Sequence, residues 1–379
     1  MRVVFLLTQD RGGPAFLTAG LARELASRPG GPEMHVLGPA SVVASTGLPS
    51  SLLRPVDVRS KLDARAFSAV AKWLKNLAPD IIHAQDHRAG LVASLVAGRR
   101  SPVLLTFHGV PDSAAGRWVQ GGPLHGRWPG ISGRSRLMAE ALVARRVTCT
   151  VAPSQAIASF LRRDLRVPAN RLRVVHNGVA ASHRSKEYKR VRTFATVGSF
   201  APCKATPLLV EAFVALAANR TDLRLRMIGD GGDRRRCENI ARLAPGGDQV
   251  EFAGYRTDVD AQLGHADAFV LPSVNENLPL ALLQAMALGL PCIATSVGGV
   301  REVLDADCGV IVPPGDIHSL RAAMERLISE PDLAARLGQA ARRRVEERFS
   351  LARCADSHLG LWSELLGMSA GDNVTAGAC

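Results

Sequence analysis

The chain has 379 residues, more than one hydrophobic core usually fills, so two domains are expected. Hydrophobic residues make up 47% and charged residues 21%, which excludes a disordered chain, and aromatics at 4% are too few for a single-strand stacking platform, so no nucleic-acid partner is expected. The net charge of +13 suits anionic partners (nucleotide phosphates, a phosphorylated acceptor, anionic lipid headgroups), but arginines spread through an Arg- and Ala-rich chain are first of all a compositional trait.

Met1–Thr8 is a short strand-like run with no small-residue cleavage site, so it does not read as a signal peptide. No apolar run approaches the roughly 20 residues that span a bilayer. A cytoplasmic location is expected, with peripheral membrane contact left open by the charge. Strand signals at Arg2–Thr8, His35–Gly38, Ile81–His83, Val103–Phe107, Cys149–Ala152 and Val174–Val175 alternate with amphipathic stretches such as Phe16–Ser27, Ala64–Leu77 and Arg134–Arg145. The stretch 180–192 is polar and basic and reads as a linker. A second alternation follows, with strands at Phe194–Val197, Leu223–Ile228, Val250–Phe252, Ala268–Leu271, Cys292–Thr295 and Val310–Val312. Short apolar runs followed by helices mean βαβ units and parallel sheets, so the fold class is α/β, with two doubly wound Rossmann-like domains facing across a cleft. The expected boundaries are 1–179 for the first domain, 193–350 for the second, a last helix 351–366 that crosses back to the first, and a fraying tail 367–379. Seven scattered cysteines with no C-x-x-C spacing read as reduced thiols, not as a disulfide framework or zinc site. No metal cluster is expected, nor a D-x-D stretch after a strand to mark a metal-bound diphosphate.

Ligands of open parallel sheets bind at the carboxyl ends of the strands, and four places stand there. Gly12-Gly13 follows the first strand, His108-Gly109 follows Val103–Phe107, Lys204 follows the first strand of the second half, and Glu276 follows Ala268–Leu271. Taken alone, Gly12-Gly13 is as readily a plain strand-to-helix turn, and Lys204 a solvated lysine. His83 reads as packing at a strand end. In the segment LPSVNENLPLALLQAMALGLP, Glu276 lies in the turn and a helix is expected from about Leu278, with Pro279 in its first turn. The N–H groups there, at Asn277 and Leu278, and the positive dipole end would meet phosphate oxygens. Gln284 follows eight residues after Glu276. Gly229-Asp230-Gly231-Gly232 lacks the third glycine of a dinucleotide fingerprint, since Arg234 stands there, which argues against a nicotinamide enzyme.

At these residues the chain resembles the family-4 retaining glycosyltransferases of the GT-B fold. Their donor-domain signature reads roughly P-S-x-x-E-G-x-x-x-x-x-x-E-A-M-A, which Pro272, Ser273, Glu276, Ala285, Met286 and Ala287 match. Gly229-Asp230-Gly231, Gly254, Gly298-Gly299 with Glu302, and Pro313-Pro314-Gly315-Asp316 extend the match, as do His83, His108-Gly109, Pro153-Ser154 and Asn177-Gly178-Val179 in the first half. The resemblance implies a nucleotide-sugar donor and transfer to an acceptor with retention; with no metal-spaced cluster or D-x-D stretch expected, no cofactor or metal is expected either. It places Lys204 on the donor diphosphate, Glu276 on the sugar hydroxyls and His108 beside the transferred sugar. Gly12-Gly13 would admit the diphosphate to the backbone.

Two positions depart from the family. Ser199 stands where an arginine is usual, five residues before the lysine, so one phosphate-neutralising charge is missing; Arg11 is a candidate substitute. Gln284 replaces the second glutamate of the signature, as a neutral stand-in on the donor ribose, with bonds roughly half as strong as a carboxylate's. Those departures keep a non-catalytic binding relative in view, and a sugar-nucleotide 2-epimerase shares the fold. The Gly-, Trp- and Pro-rich loop 107–130 is expected to read the acceptor, a small molecule or a glycan- or lipid-linked one, through Trp118 and Trp128. Composition points to antibiotic or other secondary metabolism, with envelope-glycan synthesis as the competitor.

Overall fold

The computed structural model describes residues 1–60, 63–98, 101–109, 131–181 and 190–368. The chain divides into two compact units, the first built from described residues before Val179 together with the segment from Leu351, the second from Val179–Ser350. Trp118 and Trp128 lie outside the described residues, as do most of the expected linker (182–189) and tail (369–379).

Among the described residues, unit 1 holds a seven-stranded sheet of β1 (Arg2–Leu6), β2 (Glu33–Gly38), β3 (Leu53–Pro55), β4 (Ile81–Ala84), β5 (Val103–Thr106), β6 (Cys149–Ala152) and β7 (Leu172–Val174). The order is β3-β2-β1-β4-β5-β6-β7 and every pairing is parallel. β1 and β4–β6 are buried almost throughout, which is why they read as unbroken apolar runs. β3 gave no such signal because it is three residues long, lies at the sheet edge and ends in proline.

Helix Leu351–Leu366 belongs to this unit and packs on helix Gly13–Ala26. Arg28 pairs with Asp356 and donates to the Ala352 carbonyl at 3.0 Å, while Arg173 pairs with Glu364. Trp362 is wholly buried, its ring 5.9 Å from that of Phe5. The returning helix thus supplies core that the sheet's own crossover helices leave uncovered.

Unit 2 carries β8 (Thr193–Val197), β9 (Arg224–Ile228), β10 (Val250–Gly254), β11 (Ala268–Leu271), β12 (Cys292–Thr295) and β13 (Val310–Val312). They form one parallel sheet in the order β10-β9-β8-β11-β12-β13. One apolar cluster covers each face: Leu282, Leu283, Met286 and Phe349 belong to the first, Phe200, Phe213, Leu320 and Met324 to the second. Each unit is therefore doubly wound, and each has a switch point where the strand order reverses, between β1 and β4 and between β8 and β11.

Candidate functional site

In unit 2 the switch point is filled by side chains from both flanking loops. The chain leaves β8 through Gly198 and makes one 3-10 turn, Pro202–Lys204, closed by Ala205 at φ 47°. A left-handed non-glycine residue is costly, and here it turns the chain directly from Lys204 into helix Thr206–Ala217. Two further contacts fix the turn. The Cys203 carbonyl accepts from Val274 N–H at 2.8 Å, and Phe200 N–H donates to the Asp230 carbonyl at 2.9 Å. Gly229, at φ 139°, lies so close to this loop that a Cβ would sit 1.8 Å from the Gly198 oxygen. The glycine is there for backbone approach, not flexibility.

So held, Lys204 Nζ donates to Glu276 Oε1 at 2.6 Å, and Ser273 Oγ donates to the same oxygen at 2.7 Å. Glu276 is 6% exposed and Ser273 fully buried, whereas the Lys204 side chain is 27% exposed. A buried carboxylate persists only when paired and hydrogen-bonded, and these two donors meet that need. The ammonium remains partly open to solvent, where an anion could reach it.

The helix beyond begins at Leu280, with Pro279 as its N-cap, two residues later than the sequence suggests, because Glu276–Pro279 is drawn into the turn. The Asn277 carbonyl accepts from Gly299 N–H at 2.8 Å, tying the Gly298-Gly299 loop to this turn. Leu278 is buried in the core, so its side chain is packed away and only its backbone N–H is left for the anion-binding part expected of it. Ser199 is exposed at the mouth of the β8 loop. Gln284 Nε2 donates to Asp260 Oδ1 at 3.0 Å. Asp258-Val259-Asp260 is thus a D-x-D stretch beyond β10, against the expectation of none, but its carboxylates go separate ways. Asp258 is held by the Arg256 guanidinium at 2.8 and 2.9 Å and by Gln262 at 2.9 Å. Among the described residues no three His, Cys, Asp or Glu side chains converge on a metal position.

In unit 1, Gly12 stands at φ 87° as the N-cap of helix Gly13–Ala26, and no side chain caps that end. Glycine is required by that backbone angle, and Pro14 stands in the first turn, where a missing N–H costs nothing. Arg11, the candidate substitute cation, is largely exposed and paired with Asp10 at 3.3 Å. On the far side of the switch point, Asp86 accepts from Thr8 Oγ1 at 2.9 Å and caps helix His87–Val96 through Ala89 N–H at 2.9 Å.

His108, just past β5, bonds through Nε2 to Gln85 Oε1 at 3.3 Å. An amide oxygen only accepts, so this contact puts the ring hydrogen on Nε2. Burial pulls the His108 pKa down to about 4, so the imidazole is neutral at physiological pH. Beneath it, His83 Nε2 meets Thr106 Oγ1 at 2.7 Å, and its ring lies 5.1 Å from that of His358 on the returning helix. His358 stacks on Trp362 with ring centroids 5.7 Å apart. Burial lowers the pKa of His83 well below normal and that of His358 to about 4, and repulsion among the three rings adds to it.

Residues 180–344 match the family model described as Glycosyl transferases group 1, and residues 11–183 match that of Glycosyltransferase Family 4. The chain belongs to this glycosyltransferase family. The MMP alpha-(1->4)-mannosyltransferase of Mycolicibacterium hassiacum is 29% identical over 67% of this chain and 62% of its own length. The alpha-D-kanosaminyltransferase of Streptomyces kanamyceticus is 27% identical over 45% of each chain. The chain thus spans about half to three-fifths of these relatives. Anabaena HepE, solved in complex with UDP-glucose, superposes with a TM-score of 0.78 at 16% identity, covering 96% of this chain and all of that one. Both sheets accordingly belong to the GT-B fold.

Within this family member the structure brings Lys204 and Glu276 together, and each of the other candidates among the described residues lies at a strand's carboxyl end or on the helix that follows one. Sequence reasoning assigned no part in the site to three further residues. Ser273 is the second donor to Glu276, Gln85 orients His108, and Asp260 binds Gln284. Of these, Ser273 carried a signal as the serine of the matched Pro272-Ser273 pair, and Asp260 as the second acid of the D-x-D stretch.

Proposed function

We propose that the protein transfers a hexose-type sugar from a nucleoside-diphosphate donor to an acceptor hydroxyl with retention of configuration. The observation that carries this is the Lys204–Glu276 pair with Ser273 at the unit 2 switch point. A partly open cation beside a buried, oriented carboxylate matches the two demands of such a donor, charge for the diphosphate and acceptors for sugar hydroxyls. In the reaction, the bond from the anomeric carbon to the diphosphate oxygen breaks and one to the acceptor oxygen forms on the same face. The acceptor proton passes to a diphosphate oxygen. Neutral His108 beside the sugar is suited to accept a hydroxyl hydrogen bond without adding charge. We propose that Lys204 and the helix ends suffice for the leaving group, so that no divalent cation takes part.

Relatives named as hexosyl- and aminohexosyltransferases, and a structural neighbour solved with UDP-glucose, support the donor class. We propose a secondary metabolite as acceptor, on the Arg- and Ala-rich composition, with an envelope glycan as the competitor. No helix among the described residues is long and apolar enough to cross a membrane. Met138 and Leu142, exposed one turn apart on helix Ile131–Arg146, support peripheral contact with a lipid surface, which flotation with anionic vesicles tests.

The deciding experiment incubates the protein with a panel of nucleotide sugars, with and without candidate acceptor alcohols and with EDTA. Acceptor-dependent release of nucleoside diphosphate, insensitive to EDTA, with retained anomeric configuration by NMR, is expected. Epimerised sugar without acceptor would assign a 2-epimerase instead, and binding without turnover a non-catalytic relative.

A further inference from the structure

Gln284 lies on the first full turn of helix Leu280–Ala287, whose amino end stands at the switch point beside Lys204 and Glu276. Four residue steps of helix separate it from Leu280, about 6 Å along the axis. That is roughly the reach of two linked phosphates, so a nucleoside diphosphate anchored at Lys204 and running along the helix brings its ribose to Gln284. The amide does not face this position alone. Its Nε2 donates to Asp260 Oδ1 at 3.0 Å, from the short helix Val259–Leu263 beyond β10. That bond uses a Gln284 amide hydrogen and one Asp260 oxygen, so the acceptors it leaves over are Gln284 Oε1 and Asp260 Oδ2, one of them charged.

We propose that Asp260, braced by Gln284, is the carboxylate that binds the cis-diol of the donor's ribose, an assignment that rests on the donor reading above. A diol offers two O–H donors, and a carboxylate next to an amide oxygen offers two acceptors. The charge-assisted bond is the stronger of the pair. The identity of residue 284 follows from the same geometry. An acid there would put two carboxylates about 3 Å apart, where both cannot stay ionised; an amide turns that repulsion into a hydrogen bond. Desolvation raises the Asp260 pKa, and the hydrogen bond from Gln284 opposes that shift. Asp258 cannot take the same part, since both its oxygens are engaged by Arg256 and Gln262.

The test is calorimetry of UDP, GDP and ADP and their 2′-deoxy forms with the wild type, Asp260→Asn, Gln284→Glu and the double variant Asp260→Asn/Gln284→Glu, with Tm recorded for each. For the ribonucleotide that binds best, Asp260→Asn should weaken binding about tenfold and its 2′-deoxy form less, shrinking the ribose preference. Gln284→Glu should weaken binding too, and the double variant, which exchanges carboxylate and amide, should recover most of it. An unchanged ribose preference in Asp260→Asn overturns the assignment, and so does tighter binding by Gln284→Glu with Asp260 in place. Lys204→Ala separates the two levels of the argument. If it abolishes nucleotide binding while Asp260→Asn changes nothing, the donor site stands and Asp260 is excluded from it. If the wild type binds none of the nucleotides, the donor reading falls and this inference with it.

Discussion

Lys204 Nζ stands 2.6 Å from Glu276 Oε1, and the bond joins the loop after β8 to the loop after β11 across the reversal of strand order. The two residues are 72 positions apart in sequence. What brings them together is the doubly wound order, which makes β8 and β11 neighbours and points both of their carboxyl ends the same way. In this arrangement the carboxylate neutralises the ammonium. In the proposed reaction an arriving diphosphate must therefore share Lys204 with Glu276, and the sugar hydroxyls would compensate the carboxylate for what it loses.

Removing the cation should show in two readouts. Lys204→Ala is expected to lower nucleoside-diphosphate affinity about 10- to 150-fold, the cost of one lost charged hydrogen bond. It should also lower Tm, because Glu276 is left buried with Ser273 alone. Adding Glu276→Gln to Lys204→Ala removes the stranded charge, so Tm should recover while affinity does not. Calorimetry showing unchanged affinity in Lys204→Ala would take Lys204 out of the site.

The histidine cluster predicts acid sensitivity. His358, 3% exposed, has its pKa pulled from 6.5 to about 4 by burial, so the folded protein keeps it neutral. Below pH 6.5 the unfolded chain takes up a proton that the folded one refuses, so stability falls as pH drops from about 6.5 toward 4 and levels off below. At roughly 1.4 kcal/mol per pKa unit, the loss from this one group is on the order of 3 kcal/mol. Urea unfolding at pH 7, 6 and 5 should show a shallower decline for His358→Leu than for the wild type. Equal slopes would mean that His358 is not the titrating group.

The sequence made visible what is written locally. The alternation of buried strands with helices, the Pro272-Ser273 to Ala287 segment and the glycines at strand ends are each continuous stretches, and they located Lys204, Glu276, His108 and Gly12. The rest depends on tertiary pairing. Asp260 precedes Gln284 by 24 residues, and nothing in its short D-x-D stretch points to Gln284 as its partner. Gln85 and His108 are 23 residues apart and meet only because β4 and β5 pair in register. His83, read from sequence as strand-end packing, is indeed wholly buried, but its neighbour His358 comes from the far end of the chain.

Gly229 gives a sharp steric test. Its φ of 139° suits glycine alone, and a methyl group there would overlap the Gly198 oxygen at 1.8 Å. Both atoms are backbone, so relief requires the β8 loop, and Lys204 with it, to shift. Gly229→Ala is expected to cost on the order of 3 kcal/mol or more, read as a large fall in Tm or loss of folded protein. Gly232→Ala is the control: a Cβ there meets nothing within 4 Å, and Tm should barely move. Comparable losses at both positions would show that composition of the loop, not the close approach, sets the cost.

Gln85 is the last point of test, because it acts on His108 and not on a substrate. It is 1% exposed, and its Oε1 takes the hydrogen of His108 Nε2, which fixes the tautomer and leaves Nδ1 as the ring's acceptor nitrogen. Gln85→Leu removes that restraint while keeping the volume, so the ring can turn or change tautomer. Turnover should fall about tenfold, the cost of one hydrogen bond, with little change in KM for the donor. Gln85→Glu keeps an acceptor but adds a negative charge beside the imidazole, which raises the pKa that burial holds at about 4. In the proposed reaction neutral His108 is the working form, so the acid limb of the pH–rate profile should move to higher pH in Gln85→Glu, and activity near pH 8 should survive. A packing role alone would lower activity in both variants at every pH and leave the limb in place. If Gln85→Leu turns over as the wild type does, or the limb of Gln85→Glu stays where it was, Gln85 does not position His108.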